Sequence, residues 1–114
     1  MTTVYVAQEN NKVNYAPAED YGRIVFLTSD EFSGLPQSLR NVNMLQDICA
    51  RFVAFNPVED LIILTGNPVT MGYVFHLAFM RAIEAGVPLR YLQWDRNAGL
   101  YRVGMFPITQ EFTE

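Results

Sequence analysis

The chain has 114 residues, 50% of them hydrophobic and 18% charged, with a net charge of −4. Those proportions describe a folded domain able to bury about two-thirds of its unfolded surface, and they exclude a disordered chain. The negative balance disfavours non-specific nucleic-acid binding, and the single cysteine, Cys49, excludes an internal disulfide. One domain over 1–114 is expected. No stretch is long and apolar enough to span a bilayer, and no basic segment followed by an apolar one marks a secretory signal.

Thr3 to Gln8 (TVYVAQ) reads as a short strand. Glu9-Asn10-Asn11-Lys12 is a polar turn, after which Val13-Asn14-Tyr15 is expected to pair back briefly. Ala16 to Asp20 suits a loop or a single helical turn, closed by Tyr21-Gly22. Arg23 to Ser29 (RIVFLTS) is the next strand, and its unbroken apolar run places it inside a sheet. Asp30 to Pro36 has loop composition, with Phe32 as a candidate exposed aromatic. From Pro36 to Phe55 the spacing of Leu39, Val42, Leu45, Ile48, Cys49, Phe52 and Val53 predicts a helix with one apolar face. Asn56-Pro57 ends it.

The stretch Asp60 to Ile83 organises the rest. Leu61 to Leu64 is a continuous apolar strand of the kind covered on both faces. Thr65-Gly66-Asn67-Pro68 breaks it, with Asn67 placed to cap a helix and Pro68 suited to the first helical position. The helix that follows is apolar nearly all round, with His76 as its one strongly polar residue from Met71 to Met80. Such a helix is expected to be covered on both sides, the second cover being another copy of the chain. Gly86 and Pro88 mark its end. Leu89 to Asp95 and Leu100 to Phe106 form a hairpin around Arg96-Asn97-Ala98-Gly99. Pro107 onward reads as a frayed polar tail.

The predicted order is β-β-α-β-α-β-β. It gives an α/β fold with a small, mixed, largely parallel sheet of about five strands, two main helices and a Rossmann-like core. The first and last strands are expected at the edges. If the inner strands lie in sequence order, both helices cover one face. If the strand beginning at Arg23 is central, each face takes one helix.

The strand-to-helix turn is a candidate ligand site, because parallel sheets bind ligands at their carboxyl ends and a helix start offers free N–H groups. Its residues are Thr65, Gly66, Asn67 and Thr70, with Asp30 and Glu31 on a loop at the same edge. No G-x-G-x-x-G or phosphate-loop motif is present, Pro68 removes one donor, and the Gly-Asn-Pro turn is fully explained as a helix start. His76 lacks a carboxylate partner three or four residues away and reads as a core or interface residue. One histidine and one cysteine exclude a structural zinc site, and no catalytic set, metal site or cofactor is expected. The adjacent carboxylates Glu19-Asp20, Asp30-Glu31 and Glu59-Asp60 read as loop solubilisers. Cys49 is expected to be buried. Of the hairpin residues Arg90, Tyr91, Trp94, Arg96, Tyr101 and Arg102, Trp94 is assigned to the core. Arg96, Tyr101 and Arg102 are assigned to a partner surface, since arginine and aromatics are enriched at binding hot spots.

The segments VYVAQ, DYGRIVFL, DLIILTGNPVTMG and LRYLQWDRNAGLYRV together resemble a family of small uncharacterised bacteriophage proteins. The matching positions are Val4 to Gln8, Tyr21-Gly22, Asp60 through Val69 and Leu92 through Arg96. The resemblance implies a phage origin and action in the host cytoplasm, and it carries over no catalytic residue. The expectation is therefore a non-enzymatic accessory protein that binds a host or phage macromolecule, as a homodimer. Two alternatives are a small-ligand or nucleotide-binding domain using the Gly66–Thr70 turn, and a single-stranded nucleic-acid binder using the hairpin.

Overall fold

The computed structural model describes residues 1–108. Five strands, β1 (Thr3–Val6), β2 (Arg23–Phe26), β3 (Leu61–Ile63), β4 (Leu89–Asp95) and β5 (Leu100–Phe106), form one sheet in the order β2-β1-β3-β4-β5. All pairs are parallel except the β4–β5 hairpin. The expected mixed α/β sheet with two helices is present, but the strand order is neither of the two expected. β1 is interior and β2 takes the edge.

The reason lies in residues 7–22. They do not pair back as a hairpin. They cross over, through one 3-10 turn (Ala16–Asp20), to a parallel partner. The crossover from β1 to β2 runs one way along the sheet, and those from β2 to β3 and from β3 to β4 run the other way. With a common right-handed sense, the first must lie on one face and the helical two on the opposite face.

Alternation along the strands confirms this. Tyr5, Ala7, Leu27, Ile62 and Leu89 point to the face carrying both helices, α1 (Leu39–Arg51) and α2 (Pro68–Ala85). There they pack with Ile48, Phe52 and Phe55 and with Val74, Ala78 and Ala82. Tyr5 meets Phe52 and Phe55 edge-on at 5.2 and 5.8 Å. Val4, Val6, Leu61, Ile63, Leu92 and Tyr101 point to the other face, where Tyr15 and Ala18 of the crossover cover them. Two hydroxyls tie that cover to β5: Tyr21 Oη donates to Tyr101 O and Tyr101 Oη donates to Asn14 O.

α2 begins and ends where the sequence predicts. Asn67 caps it by accepting from Val69 N, and Gly86 closes it in the left-handed region at φ 71°. Its burial is narrower than expected. Thr70, Val74, Ala78 and Ala82 are buried, whereas Val69, His76, Met80 and Ile83 are exposed, so His76 is not a core histidine. α1 is shorter than expected, starts at a Ser38 cap and continues as a 3-10 turn to Ala54. A strip through Asn41, Met44, Ile48 and Phe52 is buried, and Leu45 packs half-buried against the core beside it. Leu39, Val42, Cys49 and Val53 stand in solvent, because a helix laid on a narrow sheet touches it along one line. Asn41 is buried because its side chain binds Ser33 N, Ser33 O and Leu35 O, which folds the preceding loop onto α1 and leaves Phe32 half-buried.

Three arginines serve the backbone. Arg51 donates to Leu27 O, Arg81 to Val53 O and Phe55 O, and Arg90 to Val58 O and Glu59 O. No helix among the described residues is long and apolar enough to cross a membrane. The predicted tail beyond Ile108 lies outside the described residues.

Candidate binding site

The strand connections reverse between β1 and β3, the place where open parallel sheets bind ligands beyond their carboxyl ends. Here that place is filled. Gln8, just past β1, is 7% exposed. Its Oε1 accepts from Asn67 N at 2.7 Å and its Nε2 donates to Asp30 O at 2.6 Å. Gly66, at φ 109°, lies against the Gln8 side chain so closely that a Cβ would overlap it. A chain of hydroxyls reinforces the junction. Asn10 N donates to Tyr15 Oη, Tyr15 and Thr65 share a 2.8 Å hydrogen bond, and Thr65 Oγ1 donates to Gln8 O.

The structure thus brings Thr65, Gly66, Asn67 and Asp30 together around Gln8. Glu31 is exposed and makes no hydrogen bond among the described residues. Thr70 is fully buried, and its hydroxyl has no partner among them.

The open space lies one strand further on. β3 stops at Ile63, whereas β4 pairs with it at Ile62↔Tyr91 and runs on to Asp95. The overshoot of β4 leaves a cleft of about 730 Å³ at the carboxyl edge. β3 contributes Ile63, Leu64 and Thr65; the hairpin contributes Tyr91 to Trp94, Tyr101 and Phe106; the first loop contributes Lys12, Val13 and Asn14. Gly104 leaves the room that the Tyr91 ring occupies, and Phe106 packs on Tyr91 at 4.5 Å. Trp94 is 43% exposed, not core, and meets Tyr101 edge-on at 5.0 Å. Tyr101 is buried at 3%, and burial pushes its hydroxyl above the ordinary tyrosine pKa. Of the expected partner surface, Arg96 and Arg102 are exposed.

Arg102 is not free. Its Nε donates to Asp95 Oδ2 at 2.6 Å, while Asp95 Oδ1 accepts from Asn97 N and Ala98 N across the turn. The Arg102 hydrogen bond, then that to Ala98, holds the Asp95 carboxyl below its ordinary value of 3.8. A depressed carboxyl contributes stability that is fully present above its unfolded pKa and is lost as pH falls through the folded one. The hairpin is therefore expected to loosen only in acid, below about pH 3.8. Carboxyl-detected NMR titration should place Asp95 below that value, and Arg102→Gln should bring it back up. An Asp95 that titrates identically in both proteins would refute the pairing.

No group of three or more His, Cys, Asp or Glu able to hold a metal ion occurs among the described residues. Cys49 is exposed, against expectation, and reaches Tyr73. Desolvation first, then the Cys49 contact, raises the Tyr73 hydroxyl.

A family model described as Phage Pam3 gp32-like protein matches residues 2–107. The chain belongs to this bacteriophage protein family. No curated protein and no solved structure matches it. The span covers both the Gln8 junction and the cleft, so both lie within the family's own region. Sequence reasoning missed Gln8, Lys12, Asn14 and Gln93 and assigned Trp94 to the core. One signal was available: a four-residue apolar run, Leu61 to Leu64, beside a seven-residue strand, Leu89 to Asp95, must leave the longer strand uncovered at one end.

Proposed function

We propose that this phage protein is a non-enzymatic accessory protein that binds a host or phage protein in the host cytoplasm, with the cleft at Trp94 as its contact. The cleft carries this reading. It is apolar and aromatic, it lies at the carboxyl edge of the parallel strands, and among the described residues Lys12 is the one formally charged residue in its wall. Among the described residues, no carboxylate or histidine, the usual proton carriers of catalysis, lines it. Half-exposed tryptophan beside arginine is also the composition of binding hot spots. The Rossmann-like reading of β2-β1-β3-β4 belongs to the same proposal.

The test is a tagged pull-down from host lysate with nuclease, using wild type and Trp94→Ala. One stoichiometric protein is expected with wild type. At a hot spot the loss from truncation is about 2 kcal/mol, or roughly thirtyfold in affinity. Equal capture by a folded Trp94→Ala protein refutes the cleft as the contact. Capture abolished by nuclease moves the assignment to nucleic acid.

The cleft volume favours one other reading, a small-ligand site, since such pockets run from about 300 to 1,000 Å³. A ligand at a hundred times its Kd stabilises by about 2.7 kcal/mol, a shift of roughly 10 °C at this size. Thermal-shift screening against nucleotides and phosphorylated metabolites reads it, and no shift from any of them counts against it. The homodimer belongs to the main reading. Val42, Val53, Met80 and Ile83, each over 40% exposed on α1, the 3-10 turn after it and α2, would supply its contact. Light scattering that gives a monomer at micromolar concentration removes it.

A further inference from the structure

Trp94 stands between two hollows. One side closes the cleft that Lys12 lines; the other lines a shallower hollow of about 320 Å³ with Arg96, Arg102 and Asp95. The Asp95 pairing neutralises Arg102. Lys12 and Arg96 remain, both exposed, and neither makes an ion pair among the described residues. The apolar slot thus has one unpaired cation in its wall, Lys12, and a second, Arg96, in the hollow that adjoins it at Trp94, in a chain whose overall charge is −4. Cations left unneutralised in an acidic chain set a local field that favours an anionic segment and repels a basic one. The polar groups beside them, the amides of Asn14 and Gln93, suit hydrogen bonding to an extended backbone.

Resting on the assignment of the cleft as the partner contact, we propose that its occupant is an acidic peptide segment, seating one apolar or aromatic side chain against Trp94 with its carboxylates directed to Lys12 and Arg96. A peptide of this kind satisfies both halves of the surface. The anchor fills the slot, and the flanking carboxylates meet the two cations without being buried. Exposed ion pairs add little each, so the anchor supplies the affinity and the charges supply the selection.

A displayed library of random peptides, selected on the intact protein, tests this. The enriched peptides are expected to share one Phe, Trp or Leu flanked by Asp or Glu. They should bind Trp94→Ala at least about tenfold more weakly. They should bind the double variant Lys12→Glu/Arg96→Glu about fivefold more weakly, and more weakly still as salt rises for wild type. The double variant changes only exposed side chains without hydrogen bonds among the described residues, so its fold is retained. Selected on the same library, it should enrich peptides without acidic flanks. Enriched peptides that carry an anchor but no acidic bias, or that ignore the charge reversal, overturn this proposal and leave the cleft assignment standing. Peptides indifferent to Trp94→Ala, or an empty selection, overturn both. Oligo(dT) that displaces the peptides from the cleft overturns it in favour of a nucleic-acid strand.

Discussion

Gly66→Val is expected to destabilise the protein by about 3–5 kcal/mol, the sum of a non-glycine residue forced to positive φ and an overpacked contact. Gly66 sits at φ 109°, and its missing Cβ leaves the space that the Gln8 side chain uses. Gln8 cannot retreat freely, because its amide bridges Asn67 N and Asp30 O. The substitution therefore strikes the start of α2 and the loop after β2 together. In a chain of this size the melting midpoint should fall by roughly 12–20 °C. Gln8→Ala alone removes two hydrogen bonds from buried or half-buried groups and should cost about 1–3 kcal/mol. In the Gly66→Val background, Gln8→Ala should recover part of the loss, since the clash goes while the backbone strain stays. Urea unfolding of the four proteins gives the coupling. A Gly66→Val midpoint equal to wild type, or strictly additive losses, would show that the two residues do not oppose each other.

The same junction shows what the sequence could and could not reveal. α2 was legible end to end, because an Asn-Pro start, an apolar run and a Gly stop act within a few residues of one another. The β4–β5 hairpin was legible for the same reason. The position of β1 was not. Its neighbour is decided by a crossover holding one 3-10 turn, which has no periodicity to read. Four of the seven residues expected on the apolar face of α1 proved exposed, since spacing reports which residues share a face and not how much of it the sheet can cover. Asn41 and Gln8, both polar and both buried, owe their places to partners brought in by folding: Ser33 and Leu35 for one, Asp30 and Asn67 for the other. The turn at Gly66 was correctly placed at the carboxyl edge, but the cleft lies beside it, where unequal strand lengths open the sheet.

Asp60→Ala is expected to cost about 2–4 kcal/mol, although the sequence suggested a loop solubiliser. Asp60 is 5% exposed and fastens two distant segments. Oδ1 accepts from Thr3 N, the first residue of β1, and Oδ2 accepts from Asn56 N, just past the 3-10 turn that follows α1; both bonds are 2.9 Å. Around it, Asp60 N donates back to Asn56 O, and Arg90 holds the carbonyls of Val58 and Glu59. Hydrogen bonds to a charged acceptor contribute more than neutral ones, and alanine leaves both N–H groups without a protein partner. Asp60→Asn keeps one acceptor oxygen but turns an NH₂ toward the other N–H, so it should cost about half as much. The local reading is as informative as the global one. Hydrogen exchange at the Thr3 amide should quicken more in Asp60→Ala than exchange at the interior β3 amides, because the clamp holds the leading end of β1 to the entry of β3. An unchanged midpoint together with an unchanged Thr3 amide would mean that β1 is held by its two parallel neighbours alone.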